Sequence, residues 1–152
     1  MDGATLKTRL LEELHQLIDA KIASIRSTLS DISDSMKNDT KSSAGDKFET
    51  GREMMQIELG KQQLQLNKQL QLKKDLSQIN PNKSYTSIEF GSLVFTNKGI
   101  YFMVFAHGKL SFDQQDYYIL SMASPIGQAM KGAKENDSLS FNKQNIVIEK
   151  IL

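Results

Sequence analysis

The sequence has no cysteine and no tryptophan, and only two of its 152 residues are proline. The absence of cysteine excludes disulfide bonds and thiolate metal sites. Aromatic residues make up 7% of the chain and hydrophobic residues 39%, and this hydrophobic content is below the usual share for a compact globule. A chain with so few large apolar groups is expected to place many residues in elongated helices with narrow buried seams.

Long hydrophobic runs are also lacking. The most apolar stretch, IYFMVFA at residues 100–106, is far too short to span a bilayer. The first residues, MDGATLKTRLLEELHQ, include acids early and have no apolar core of signal-peptide length. We therefore expect a cytoplasmic protein without a membrane partner.

The charges nearly cancel, but they are unevenly distributed. The formal net charge of +1 argues against a protein that binds polyanions through bulk charge. Residues 1–58 hold eight basic and eleven acidic residues, whereas residues 59–83 hold five lysines and a single acid, Asp75. The simplest interpretation of this basic run is a solvated helix face.

Two long segments have helical patterning. In the first, apolar residues are separated alternately by four and three positions, the spacing of a coiled-coil seam: Ile18, Ile22, Ile25, Leu29, Ile32 and Met36. In the second, residues 48–79, one apolar stripe contains Met55, Leu59, Leu66 and Leu70, followed by Leu72, Leu76 and Ile79. The stretch LQLNKQLQL also alternates with period two, but its Gln, Leu and Lys content favours a helix over a strand.

The two segments have nearly equal lengths, so they predict an antiparallel coiled-coil hairpin over residues 1–80 with its tip near 39–47. The connecting stretch is polar and charged. Asp46 and Glu49 have the spacing of a capping box, and Gly45 suits the turn before it. The candidate functional residues of the tip are Asp39, Lys41, Ser42, Ser43, Asp46, Lys47, Glu49 and Arg52.

The periodicity changes after Pro81. Strand-like segments occupy residues 87–96, 100–106 and 117–123. A short helix is predicted after Ser124 as N-cap, with Pro125 at its first position, and two short strands follow around a turn at residues 142–145. Residues 81–152 are therefore expected to form a small sheet domain with one short helix, and the fold class is α+β.

The order of these motifs resembles the bacterial Gre family, transcript-cleavage elongation factors that bind RNA polymerase. The resemblance rests on SPIGQAMKGAKENDSL, including Ser124, Pro125, Ile126 and Asp137, followed by a final strand ending IVIEKIL. It also rests on the start of the second helix, where Arg52 and Glu53 follow the aromatic Phe48 at the family's spacing. It covers nearly the whole chain.

The resemblance implies an FKBP-like sheet domain that docks at the rim of the polymerase secondary channel through Ser124, Pro125 and Ile126. It implies a helical hairpin that enters the channel, with core RNA polymerase as the partner and nucleic acid met only inside that complex. In the family, two tip acids help to hold Mg²⁺ at the polymerase active site. No intrinsic cofactor and no catalytic residue are expected in this chain, which is interpreted as an accessory factor rather than an enzyme.

The chain departs from the family at these two acids. The family's acidic positions fall on Lys41 and Ala44, which cannot bind a metal as carboxylates do. Asp39 and Asp46 are nearby candidate metal ligands if the tip is shifted. The resemblance therefore supports polymerase binding and regulation of elongation better than transcript cleavage.

Two other functions fit the residues. A coiled-coil assembly module without a polymerase partner would oligomerise through its helices. An FKBP-like prolyl isomerase or chaperone would need an aromatic-lined pocket, for which the candidate rings are Tyr101, Phe102, Phe105, Tyr117 and Tyr118. The oligomeric state and direct binding to free nucleic acid are not determined by the sequence.

Overall fold

The computed structural model describes the main chain of residues 2–39 and 45–152, and the side chains of residues 2–38 and 49–152. The fold class is α+β, as predicted, with two long N-terminal helices followed by a sheet and a short helix. By contacts, the chain divides into two compact units, Met1–Glu12 with Leu76–Leu152, and Glu13–Asp75. The sequence-based domain bounds of 1–80 and 81–152 stay a prediction.

The two helices are α1, Gly3–Asp39, and α2, Gly45–Ser77. Helix over residues 61–72 is confirmed against the alternative of a strand. An ion pair joins Asp19 of α1 to Lys73 of α2 at 2.7 Å, and farther along α1 a groove brings residues 21–25 beside residues 62–69 of α2. Later positions of α1 thus meet earlier positions of α2, so the helices are antiparallel within Glu13–Asp75.

The buried seam of this helical unit differs from the predicted stripe at one position. Ile18, Ile22 and Leu66 are buried as expected, but Leu70 is 38% exposed. The neighbouring Gln69 is buried instead. The prediction for Leu70 was wrong because the side of α2 that packs on α1 runs through Leu66 and Gln69, which leaves Leu70 at its edge.

The other unit contains a six-stranded sheet. Its strands are β1 Leu93–Thr96, β2 Ile100–Met103, β3 Gly108–Phe112, β4 Gln115–Leu120, β5 Ser138–Phe141 and β6 Gln144–Ile151. Their order is β3-β4-β2-β1-β6-β5, with β2 and β4 parallel and the other neighbours antiparallel. The six-residue helix α3, Pro125–Met130, lies between β4 and β5 in the chain. The FKBP-like assignment of this domain stays a prediction.

A compact apolar core holds the sheet and α3 together. Met130 of α3 is fully buried against side chains of β1, β2 and β6: Val94, Met103, Ile146, Ile148 and Ile151. Ile88, from the segment before β1, completes this cluster. Each fully buried aliphatic side chain stabilises the fold by about 1.5–3 kcal/mol, so burial of Met130 helps to hold α3 on the sheet.

Several sequence-based strand predictions need correction. The strands predicted at 100–106 and 117–123 end earlier, at Met103 and Leu120. Residues 87–91 are not a strand, because Ser92 turns the chain by hydrogen bonding to Glu89 through both its amide and its hydroxyl. Residues 108–112, which lie outside the strands predicted from the sequence, form β3. The β3–β4 loop is Asp113–Gln114, with φ of 49° and 62°, the left-handed conformation of tight two-residue hairpins.

Candidate functional site

Most of the predicted tip lies outside the described side chains. This applies to Asp39, Lys41, Ser42, Ser43, Asp46 and Lys47, and with them to the capping contacts predicted between Asp46 and Glu49. Within the described residues, Glu49 is exposed and Arg52 is partly exposed, both on α2. The role of the tip therefore stays a prediction.

The predicted docking segment forms the start of α3. Ser124 has extended backbone angles, and its hydroxyl accepts a hydrogen bond from the amide of Gly127 at 3.1 Å. The same hydroxyl donates to the carbonyl of Ser121 at 2.7 Å. Ser124 is thus the N-cap, as the sequence predicts, and this cap is worth about 1 kcal/mol.

The three predicted docking residues have different surroundings. Pro125 is exposed at the first helical position, whereas Ile126 packs against the core cluster. The main chain beneath them is tight, because a Cβ on Gly127 would overlap the carbonyl oxygen of Ser121 and lie 2.9 Å from Met122 Cα. Pro125 is therefore exposed on a tightly packed turn. Ser124 holds this turn through its capping hydrogen bonds, and Ile126 holds it through its contact with the core.

An apolar depression adjoins this segment. It has a volume of about 370 Å³, and its lining includes Met122, just before α3, and Phe90, which is 40% exposed. Lys131 also lines it. An exposed aromatic ring beside a shallow apolar depression is a feature of protein contact surfaces.

A second cavity, of about 300 Å³, is lined by an unusual lysine, Lys7. Lys7 of α1 is 1% exposed, and its Nζ donates to the carbonyl oxygen of Leu152 at 3.1 Å. The same ammonium lies 4.4 Å from the ring centroid of Tyr85. Burial, and secondarily the charge of Lys83, lower the pKa of Lys7 to about 8.

Lys83, at the mouth of the same cavity, is exposed and behaves differently. Its Nζ lies 4.8 Å from the Tyr85 centroid and 3.1 Å from Glu89 Oε1. The hydrogen bond to Glu89 raises the pKa of Lys83. Two cations therefore share one aromatic ring, one enclosed and one in solvent. No sequence pattern marks Lys7 as enclosed, because a lysine in the first turns of a helix is ordinarily solvent-exposed.

The aromatic residues considered for an isomerase pocket are mostly core. Phe102, Phe105 and Tyr117 are buried. Tyr101 and Tyr118 stack against each other with their ring centroids 5.7 Å apart. Three of the five rings are thus enclosed and unavailable to a peptide substrate.

Neither a metal site nor a membrane span emerges from the described part of the chain. Among residues 2–38 and 49–152, no group of three or more acidic or histidine side chains is arranged to hold a metal ion. Within the same part of the chain, no helix has the length and apolar character needed to cross a membrane.

Comparison with known proteins gives a single line of similarity. No protein-family model matches the sequence, and no curated protein matches it. A solved structure, that of the transcription factor Gfh1, is similar at 18% sequence identity. The alignment covers 90% of this chain and 92% of that chain, with a TM-score of 0.36. A similarity with a TM-score this low assigns no function to this chain.

Proposed function

We propose that this protein binds RNA polymerase, places its helical hairpin in the secondary channel, and regulates transcription elongation. The observation that carries the proposal is the order of features along the chain. Two long antiparallel helices precede a sheet unit, and the Ser124–Ile126 segment of that unit begins a short helix. The same order underlies the sequence resemblance to the Gre family.

The exposed start of α3 gives the proposal a specific contact. Pro125 is the one residue of the predicted docking trio that is solvent-exposed. Beside the segment, Phe90 and Met122 offer apolar surface. A rigid apolar contact of this kind loses little conformational entropy when it is covered, which favours binding.

The proposed regulation acts by occupying the channel rather than by recruiting a metal. Lys41 and Ala44 stand where the family has acids. An ammonium about 4 Å from a divalent cation would repel it by several kcal/mol at an effective dielectric near 20. The protein is therefore proposed to bind halted elongation complexes and to stimulate RNA cleavage little.

The test is binding of purified core RNA polymerase to the Pro125→Glu variant. We expect at least about tenfold weaker binding, because a charge replaces an apolar contact. The melting temperature should change little, since an acidic residue suits the first turn of a helix. Ser140→Glu, at an exposed position of β5, is the matched control and should bind normally. Equal affinity of a folded Pro125→Glu variant would reject this contact, and failure of the native protein to bind polymerase would reject the proposed function.

A further inference from the structure

Helix α2 has a second seam, on the face opposite α1, which consists of three apolar residues and two lysines. Its members step by three and four residues: Met54, Ile57, Lys61, Leu64 and Lys68. This is the spacing of a coiled-coil seam. Leu64 is two residues from the buried Leu66, so the two side chains point about 200° apart around a helix with 3.6 residues per turn. We call the set from Met54 to Lys68 the outer seam.

The apolar members of the outer seam are open to solvent. Met54 is 66% exposed, Ile57 61% and Leu64 70%. Isolated exposed apolar residues are common on protein surfaces. Three large ones at seam spacing on one helix face form a stripe, and such a stripe marks a contact surface.

The charges of α2 indicate what kind of surface would cover this seam. Residues 59–74 include four lysines and no acid, and two of those lysines, Lys61 and Lys68, belong to the outer seam itself. The acids nearest the seam, Glu53 and Glu58, lie beside its first half and outside the seam positions. They flank Leu64 and are seven residues apart, one heptad. A charged residue at a seam position sets which partner is accepted, because the facing residue must neutralise it.

A second copy of the same helix meets this requirement poorly. In a parallel in-register pair, Lys61 faces Lys61 of the other copy, and like charges repel. In an antiparallel pair, each seam lysine faces an apolar residue such as Ile57 or Leu64, and no carboxylate lies in the seam. A different helix with acids at heptad spacing would both cover Leu64 and neutralise the lysines.

We propose that the outer seam of α2 binds an acidic amphipathic helix of another protein, which has apolar residues at seam positions and Asp or Glu opposite Lys61 and Lys68. This inference does not depend on polymerase being the partner of the sheet unit. It gives the basic run of α2 a role beyond solvation. The contact is small, so its affinity is modest and sensitive to salt.

The experiment uses the full chain and a synthetic helical peptide of about four heptads with leucine at its seam positions. One version has glutamates at two seam positions a heptad apart, and the other has lysines there. Fluorescence anisotropy should show that the glutamate peptide binds at least about tenfold more tightly than the lysine peptide. Leu64→Ser, at a position 70% exposed, should weaken glutamate-peptide binding about tenfold while the circular dichroism spectrum and melting temperature remain unchanged.

A charge reversal isolates the lysines. In the double variant Lys61→Glu, Lys68→Glu, the preference should invert, with the lysine peptide binding more tightly. Lys98→Glu with Lys143→Glu, at two exposed positions in the sheet unit, is the control for total charge and should keep the native preference. The proposal is overturned if neither peptide binds, or if the preference survives the reversal. It is also overturned if sedimentation shows that the chain self-associates and that Leu64→Ser abolishes this, because the occupant is then a second copy.

Discussion

Replacing Lys7 by methionine tests whether the enclosed ammonium destabilises the fold. Methionine keeps an unbranched apolar stem of similar length, so the space between α1 and Tyr85 remains filled. The Leu152 carbonyl does not lose its last donor, since it also accepts from the amide of Leu93 at 2.9 Å. The variant therefore removes a buried charge without leaving an unpaired acceptor.

The magnitude follows from the pKa of Lys7. Burial lowers it from 10.5 to about 8, and each pKa unit corresponds to about 1.4 kcal/mol. The full penalty for keeping Lys7 protonated in the fold is thus at most about 3.5 kcal/mol. Lys7→Met also loses the hydrogen bond to Leu152 and the contact with Tyr85. These contacts stabilise the native fold by about 1–3 kcal/mol and offset part of the gain from removing the charge. At neutral pH we expect Lys7→Met to be as stable as the native protein, or more stable by up to about 2 kcal/mol.

The pH dependence separates this charge from the packing of the side chain. Between about pH 8 and about pH 10.5 the unfolded chain binds more protons at Lys7 than the folded chain does, so native stability rises with pH across this window. Between about pH 7 and about pH 9.5, the unfolding free energy of the native protein should therefore rise by about 2 kcal/mol relative to that of Lys7→Met. Other titrating groups are common to both proteins and cancel in the difference.

The assay is urea unfolding of both proteins at the two pH values, with Lys98→Met as the control for an exposed lysine. The unfolding free energy of the control should differ from that of the native protein by no more than about 0.5 kcal/mol at both pH values. If the unfolding free energies of the native protein and Lys7→Met changed equally with pH, the reasoning would be refuted, because Lys7 would then titrate alike in the folded and unfolded chains. A loss of several kcal/mol at neutral pH would show that the ammonium contacts outweigh desolvation.

Two further changes probe the tip and α3. In halted complexes with added Mg²⁺, the native protein should stimulate little RNA cleavage, and Lys41→Asp with Ala44→Glu should raise it by restoring oxygen ligands for the metal. Strong cleavage by the native protein that is lost in Asp39→Ala or Asp46→Ala would instead show that the metal-binding acids have moved. Separately, Gly127→Ala should lower the unfolding free energy by about 1–3 kcal/mol, because its Cβ would press on main-chain atoms of Ser121 and Met122. Native stability in this variant, measured by urea unfolding, would mean that the Ser121–Met122 turn yields to the added methyl group.

The elements that the sequence predicts well are those whose signals are local. Alternating steps of three and four residues identify α1, and an apolar stripe with a Gln, Leu and Lys content that favours helix identifies α2. The Ser124–Pro125 pair places the start of α3 at the correct residue, because capping depends on adjacent side-chain and main-chain atoms. The two-residue turn at Asn142–Lys143, with φ of 50° and 63°, likewise lies within the predicted turn.

Two of the errors occur where distant contacts decide the structure, and a third occurs where the local signal is weak. The strand predicted at 87–91 is instead held by main-chain bonds from Ile88 to Gly132 and Ala133, which no local pattern reveals. The missed strand β3 has a period-two burial pattern in the residues KLSF, and its hairpin loop lacks the Asn-Gly or Asp-Gly pair that marks such loops most clearly. The enclosure of Lys7 depends on Tyr85 and Leu152, and only the fold brings these residues to α1.

Helix α2 shows why assigning one buried stripe to a helix can fail. Its face toward α1 contains Gln62, Gln69 and Lys73 among leucines, and the Oε1 atom of Gln69 is buried without a hydrogen-bond partner. A helix built only to pack on α1 would have leucine at position 69, which would remove an unpaired buried acceptor that costs about 1–3 kcal/mol. It would have a polar residue at position 64, where leucine is 70% exposed. The apolar residues of α2 are divided between two faces, so the pairing with α1 leaves Met54, Ile57 and Leu64 unexplained.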